Sequence, residues 1–181
     1  QAESQSILQH HLSVWKHTYQ LLSKDTDTFK LPDWYSTYKT QIYANLHDFK
    51  TIKHYNLWHD LSKPWVRTVD ENNKVHYPDH ANKSADMFLE HIRNDETIAR
   101  LIRNDMAFHT LKFEEILDLK LSIQDTCTLL ITALAELHSN AIANVFHPIL
   151  KIESDSFKIK FKRINKLGFK ILENLDGFCN V

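Results

Sequence analysis

An acidic residue interrupts an apolar stripe in the middle of the chain. Ile98, Ile102 and Asp105 recur at helical spacing, and His109 continues the same stripe one turn later. A buried carboxylate without a partner is costly, so Asp105 requires a cation or strong hydrogen bonds. The pattern therefore indicates a polar site inside a helical core.

A histidine–aspartate pair occupies a similar position earlier in the chain. His59 follows Ile52 and Tyr55 on one predicted helix face, and Asp60 comes directly after it. His17 lies at the rim of the apolar face of the first predicted helix. Imidazole and carboxylate groups that converge from separate helices form a mixed nitrogen and oxygen site. Such a site suits divalent ions from magnesium and manganese through iron, cobalt and nickel to zinc.

The elements that must position these groups are helices. Apolar residues repeat at steps of three and four from Ser6 to Ser23, which predicts a helix with one face toward the core. Pro64 is expected to end the second helix, and the polar segment 68–79 to form a loop or a short hairpin. The core face of the first helix is predicted to consist of Leu8, Leu12, Trp15, Tyr19 and Leu22. Further helices are predicted over about Thr40 to Lys63, Ala81 to Ile92, Ile98 to Met106 and Ser122 to about Val145. Ser122, with Asp125 three residues later, is a capping signal for the last of these.

The composition supports an all-α fold with a single core. The chain has 181 residues and only two glycines, which excludes glycine-rich phosphate loops and disfavours a fold rich in tight turns. No apolar run reaches the roughly 18–20 residues of a membrane helix, so no membrane partner is expected. Cys127 and Cys179 do not suffice for a disulfide framework, which favours a reducing, cytoplasmic location. The net charge of −1 leaves any nucleic-acid contact to a local patch.

Four segments together resemble a known family. The segment 58–64, with its His-Asp pair followed by Lys-Pro, resembles the central motif of the HD phosphohydrolase superfamily. The segment 67–85 is similar to the HD domain attached to bacterial tRNA nucleotidyltransferases and poly(A) polymerases, in which a short hairpin leads to a histidine that opens the next helix. The segments 14–18 and 99–106 resemble the first histidine motif and a later helix of that domain. The resemblance covers roughly Val14 to Asn140.

The resemblance implies roles for individual residues. Glu136 stands in a late helix where the family usually has an aspartate, and Asp105 and Asp125 remain alternative fourth ligands. One or two divalent ions (Mn, Mg, Fe, Co, Ni or Zn) are implied as the cofactor. The implied metal ligands are His17, His59, Asp60 and Glu136. The candidates for a second metal or for substrate contacts are His80, Asp105, His109 and Arg67.

Two of these residues are expected to take part in catalysis. Asp60 would hold the metal, which lowers the pKa of its water and polarises a phosphoryl oxygen. Lys63, about one turn after His59, would place an ammonium group on the substrate phosphate. The expected function is hydrolysis of a phosphate ester of a nucleotide or an RNA end, by a nucleotidase, a nucleoside-triphosphate hydrolase or a 2′,3′-cyclic phosphodiesterase. The alternative is a non-catalytic HD-like module that binds RNA or a protein partner.

The remaining polar residues are expected to be structural. The resemblance implies an HD-type helical domain over residues 1–150, with a basic extension over 151–181 that packs on the same domain. The basic run 158–170 is expected to be a solvated face, and the alternating residues 157–161 a short strand or a covering arm. His138 is expected to be a core histidine. The histidines expected at the surface are His10, His11, His47, His54, His76, His91 and His147.

Overall fold

The computed structural model describes residues 6–144, 147–150 and 154–178, and it confirms a predominantly α-helical fold. The helices before the first hairpin are α1 (Ile7–Leu22), α2 (Asp33–Ala44), α3 (Phe49–Trp58) and α4 (Lys63–Val66). The helices after it are α5 (His80–Met87, continued by a π-helical turn over Phe88–Ile92), α6 (Glu96–Arg103), α7 (Ala107–Thr110), α8 (Phe113–Asp118), α9 (Ile123–Asn140) and α10 (Asp155–Glu173, followed by a 3₁₀ turn over Leu175–Gly177).

Two small antiparallel hairpins interrupt the helices. Strand β1 (Thr68–Val69) pairs with β2 (Val75–His76), and this pairing confirms the hairpin predicted within 68–79. Strand β3 (Ile142–Asn144) pairs with β4 (His147–Leu150) after the end of α9. Helix α9 was predicted to run to about Val145, but it ends at Asn140 because the chain turns into β3; Val145 itself lies outside the described residues.

Helix α1 begins as predicted but buries a different face. Ser6 and Gln9 form a reciprocal capping box at its first turn. Leu8, Leu12 and Tyr19 of the predicted core face are 65%, 51% and 49% exposed, so that prediction is wrong. A second set of residues in α1 repeats at the same spacing and faces α3 and α9 instead. The buried residues of α1 are His10, His11, Val14, His17, Thr18 and Leu21.

The segment predicted as one helix from Thr40 to Lys63 is divided. Helix α2 ends at Ala44, and Asp48 starts α3 by accepting hydrogen bonds from the backbone N–H groups of Lys50 and Thr51. Pro64 does not end a helix but lies in the first turn of α4, where its missing N–H has no intrahelical role. The turn between α3 and α4 carries the central His-Asp pair.

Helix α9 forms the centre of the molecule. The side chains of Ser122 and Asp125 form the predicted capping box at its start, and every residue from Asp125 to Ser139 is buried. Helices α1, α7 and α10 pack against it. Any charged side chain on α9 therefore lies inside the core and needs a partner there.

The basic C-terminal segment is a helix, not a strand or an extended arm. Ser154 caps α10, and Phe157, Ile164 and Leu167 pack into the same core as α9. The alternation of lysine with apolar residues at the start of α10 obscured this helical spacing. Gly168 lets the helix approach α2 closely, since a Cβ atom there would lie 2.2 Å from Nε1 of Trp34.

The described residues contain no helix that is both long and apolar enough to cross a membrane. Cys127 is buried as a free thiol within α9, and burial raises its pKa to about 12. Cys179 lies outside the described residues.

Candidate metal centre

Three side chains from two parts of the chain converge in the core. His10, His59 and Asp60 each offer one ligand atom, and these atoms lie within 4.8 Å of one another. Nε2 of His10 is 3.4 Å from Oδ2 of Asp60, and Nε2 of His59 is 3.5 Å from the same oxygen. All three residues are buried. This group could hold a metal ion.

Local structure fixes the orientation of His59. The residue follows the last turn of α3, and its Nδ1 lies 2.9 Å from the carbonyl oxygen of Asn56. Asn56 is held in turn by Thr18 of α1, whose hydroxyl donates to the Asn56 side chain. A histidine that donates its Nδ1–H to a carbonyl presents the lone pair of Nε2, which is the arrangement of metal-binding histidines.

An acid from α9 lies beside the group. Oε1 of Glu136 lies 3.8 Å from Nε2 of His10, and Oε2 lies 2.9 Å from Nε2 of His109. Asn140 donates a hydrogen bond to Oε1. Glu136 is thus within 4 Å of one member of the group, although it is not one of the three residues whose ligand atoms converge.

Asp125 has a structural role instead. Arg100 donates to it at 2.8 Å, and Nε2 of His47 lies 2.8 Å from its other oxygen. It also accepts the backbone N–H of Ser122 at the start of α9. These partners hold its pKa well below the usual range, although burial acts in the opposite direction. His47 was expected at the surface, but this contact keeps it largely buried.

Asp105 lies next to the group and supports it. The hydroxyl of Tyr55 donates to Asp105 at 2.5 Å, and the Tyr55 ring packs edge-on against His59 with ring centroids 6.3 Å apart. Burial raises the pKa of Asp105 above its usual value. The Tyr55 hydroxyl is therefore the hydrogen-bond partner that a buried carboxylate at Asp105 requires. Asp105 is not a member of the group formed by His10, His59 and Asp60.

His80 approaches the other carboxylate oxygen of Asp60. Its Nε2 lies 3.5 Å from Oδ1 of Asp60, and its Nδ1 lies 2.9 Å from the carbonyl oxygen of Tyr77. Ser62 donates to the carbonyl oxygen of His80 and ties the start of α5 to the turn that carries Asp60. The structure thus brings together His80 and Asp60, which were predicted as candidates for a second ion.

His17 is not brought into the group. Its Nδ1 lies 2.7 Å from the carbonyl oxygen of Ser13, and its ring packs edge-on against Phe29. His10 lies seven residues earlier, about two turns along the same helix face, and occupies the place expected of His17. The expectation that His10 and His11 lie at the surface is wrong, since they are 0% and 5% exposed.

The positions of the other histidines agree more closely with the expectations from the sequence. His76 and His91 are exposed, as expected, and His54 is half-buried. The side chain of His147 lies outside the part of the chain that the structure describes. His138 is a buried core histidine, as expected: its Nδ1 lies 2.9 Å from the Leu134 carbonyl oxygen, and its Nε2 accepts the backbone N–H of Lys30.

The unpaired polar atoms of the centre fit a cation. Buried nitrogen and oxygen atoms nearly always have a hydrogen-bond partner, so a concentration of unpaired ones needs an explanation. Here they face one another around Asp60 and Glu136, and a divalent ion bound by imidazole and carboxylate groups would satisfy them. The unpaired buried atoms are Nδ1 and Nε2 of His10, Nε2 of His59, Oδ1 of Asp60 and Nε2 of His80.

The charges of the centre match this use. Burial, with the nearby charge of His59, lowers the pKa of His10 to about 3, so its imidazole is neutral at neutral pH. Burial alone would raise the pKa of Asp60, but His59 and Lys63 outweigh it and lower that pKa to about 2. His109 and the other imidazoles likewise hold the pKa of Glu136 well below its usual value. A neutral imidazole and two carboxylates are the protonation states in which these groups bind metals. His59 differs: burial would lower its pKa, but the charges of Asp60 and the other nearby carboxylates outweigh burial and raise it, so metal binding would release a proton from this ring.

A cavity of about 420 Å³ opens beside the centre. Lys63, His80, His109 and Glu136 line its inner end, and residues of α10 line its outer wall. The Lys63 ammonium donates to Oδ2 of Asp60 at 2.5 Å and lies over the Tyr77 ring. Burial would lower the pKa of Lys63, but the charge of Asp60 outweighs it and raises that pKa. Lys63 therefore presents a positive charge to the cavity.

Arg67 does not share this position. It lies exposed at the end of α4 and is not among the residues that line the cavity.

Comparison with known proteins does not assign the chain to a family. No family model, no curated protein and no solved structure matches the chain.

Proposed function

We propose that this protein is an HD-type metal-dependent phosphohydrolase that cleaves a phosphate ester of a nucleotide or an RNA end. The observation that carries the proposal is the buried group of His10, His59 and Asp60 beside a cavity with a lysine at its inner end. The resemblance of segment 58–64 to the HD motif supports the same reading.

The residues that would hold the ion are His10, His59, Asp60 and Glu136. A divalent ion in such a site supplies an activated water and polarises a phosphoryl oxygen. Two imidazoles beside two carboxylates favour manganese, iron, cobalt, nickel or zinc over magnesium, which prefers oxygen ligands.

Lys63 would bind and orient the phosphate. Its ammonium group lies between Asp60 and the cavity, where a phosphoryl group would sit against the centre. A fixed positive charge in a partly buried site stabilises the negative charge that builds up on the phosphoryl oxygens. His80 and His109 line the same wall and are the candidates for a second ion.

The test is hydrolysis with defined metals. The purified chain is treated with chelator, supplied with one divalent metal at a time, and assayed with p-nitrophenyl phosphate, nucleoside monophosphates and 2′,3′-cyclic nucleotides. We expect activity that chelation removes and metal restores. Asp60→Asn should abolish it, and Asp118→Asn, which removes an exposed carboxylate of α8, should not.

Two results would contradict the proposal. Full activity of Asp60→Asn would place the chemistry elsewhere. Binding of RNA by the folded chain without release of phosphate under any metal would favour the alternative, a non-catalytic module with the same cavity.

A further inference from the structure

The cations of α10 continue beyond the proposed catalytic cavity. Lys160 and Arg163 line that cavity together with Lys63. Arg163 also lines a second cavity of about 290 Å³, whose wall includes Lys166 and Lys170. Because the Arg163 side chain belongs to both walls, the two cavities adjoin along α10.

The spacing of these residues places them on one side of the helix. Lys160, Arg163, Lys166 and Lys170 follow one another at steps of three, three and four, which are neighbouring positions on a helix surface. With a rise of roughly 1.5 Å per residue, the row spans roughly 15 Å from first to last. We call these four residues the α10 row.

Arg163 is held at the junction of the two cavities. One Nη atom donates to the carbonyl oxygen of Leu111, which fixes the side chain against the turn between α7 and α8. Its Nε atom is buried and has no hydrogen-bond partner. A guanidinium group that is anchored at one nitrogen and unsatisfied at another is suited to bind an oxyanion.

The charge along the row is strongly positive. Among the described residues that line the second cavity, Lys112 adds a further cation, and Glu114 is the only acid. Oε1 of Glu114 lies 3.6 Å from Nζ of Lys170, and both side chains are largely exposed. A single exposed ion pair of this kind contributes little and leaves the row cationic.

Aromatic rings accompany the cations. Tyr77 lies in the wall of the first cavity and Phe113 in that of the second. Lys63 and Lys170 lie over these two rings. A cationic groove interleaved with aromatic side chains is typical of proteins that bind single-stranded nucleic acid.

We propose that the α10 row binds successive phosphates of a single-stranded nucleic acid whose terminal phosphate lies at Lys63. The position of the terminal phosphate rests on the proposed function; the binding of the strand does not. A span of roughly 15 Å corresponds to about four nucleotides of a stacked strand at roughly 3.4 Å each. A mononucleotide at Lys63 has no phosphate that reaches Lys166 or Lys170, so this surface favours a strand as the ligand.

The first measurement is binding as a function of strand length. Terminally phosphorylated RNA and DNA strands of two to eight nucleotides, labelled at the opposite end, are titrated with the full chain in chelator, where metal-dependent turnover is absent. We expect the affinity measured by fluorescence anisotropy to rise up to about five nucleotides and then level off, because the terminal phosphate lies at Lys63 and four more lie along the row. The slope of log affinity against log salt should be about −3.5, which is five contacts at roughly −0.7 each.

A charge-matched pair of variants locates the binding. Lys166→Gln/Lys170→Gln removes the outer half of the row, and Lys50→Gln/Lys162→Gln removes two exposed lysines that line neither cavity. The first pair should weaken binding of the pentanucleotide by roughly 10-fold and make the salt slope less negative by about 1.4. The second pair should change affinity by less than about twofold.

Three results would overturn the inference. The first is an affinity that does not depend on strand length, and the second is an equal loss in both pairs of variants. The third is stronger competition by inorganic polyphosphate than by an oligonucleotide of equal charge, which would show recognition of a polyanion without bases. Length-dependent binding without any phosphatase activity would support the α10 row and refute only the hydrolysis. Hydrolysis of p-nitrophenyl phosphate without length dependence would refute only the row.

Discussion

Substitutions of His10 and His17 in α1 distinguish the metal ligand that the structure favours from the one that the sequence motif suggested. Both ring nitrogens of His10 are buried without hydrogen-bond partners, and Nε2 lies 3.4 Å from Asp60 and 3.8 Å from Glu136. His17 is bonded to the carbonyl oxygen of Ser13 instead. We therefore expect His10→Asn to lose metal binding and His17→Asn to keep it.

The size of the effect follows from linkage. A metal at about 100 times its Kd stabilises the folded chain by about 2.7 kcal/mol. For a chain of this length, each kcal/mol shifts the Tm by roughly 2–4 °C, so the metal should raise the Tm by roughly 5–11 °C. Loss of even an outer-shell partner of a metal site typically weakens binding by about 10–100-fold. If His10→Asn weakens it by about 100-fold, about 0.4 kcal/mol and roughly 1–2 °C remain at the same metal concentration.

The assay is thermal unfolding of each variant in chelator and again with manganese, nickel or zinc. The difference within one variant cancels any change in the stability of its metal-free form. A full metal-induced shift in His10→Asn together with its loss in His17→Asn would refute the assignment of His10 and restore the sequence motif.

Three further predictions concern the cavity, the core and pH. Lys63→Met should lower kcat/KM for p-nitrophenyl phosphate by about 100-fold while the metal-induced Tm shift persists; unchanged kinetics would leave Lys63 only as the ion-pair partner of Asp60. Gly168→Ala should destabilise the fold by about 1–3 kcal/mol in urea unfolding, since the added Cβ would lie 2.2 Å from Nε1 of Trp34, and an unchanged midpoint would contradict that approach. Burial lowers the pKa of His138 from 6.5 to about 4 in the folded chain. The unfolded chain therefore binds a proton at this histidine first, and the stability of the fold falls as the pH drops from about 6.5 to about 4. Between about pH 7 and pH 5 the loss should be about 2 kcal/mol, and an equal loss in His138→Gln would exclude this histidine as its source.

The sequence was informative where local chemistry determines structure. Two residues of the central motif, His59 and Asp60, belong to the group that could hold a metal ion, and the hairpin follows them as expected. Ser122 and Asp125 cap α9 as their spacing predicted. Caps and turns depend on residues within a few positions of one another, so a single sequence contains the information that they need.

The buried face of α1 could not be predicted from local sequence patterns. Leu8 and Leu12 repeat at a helical spacing, but so do His10, Val14 and His17, and both rows satisfy a periodicity test. The choice between the two rows depends on partners that come from α3 and α9, which lie far from α1 in the sequence. Apolarity favoured the wrong row, because histidines are buried here to meet carboxylates rather than to fill space.

The C-terminal helix shows a similar limit. Its lysines predicted a solvated face, and Lys160, Lys166 and Lys170 are indeed exposed. Their position beside the cavity was not predictable, because it depends on how Leu167 and Gly168 seat α10 against the core.

The burial of the candidate metal centre sets metal binding against stability. Glu136 lies on the helix around which the rest of the fold packs, and Asp60 meets it from the α3–α4 turn with 1% of its surface exposed. Unpaired polar atoms in such a place cost free energy, and apolar residues of similar volume would remove that cost. The most stable sequence for this backbone is therefore not the one that binds a metal. Selection for stability alone would favour apolar residues at these positions, so the polar group is the part of the core that stability does not account for.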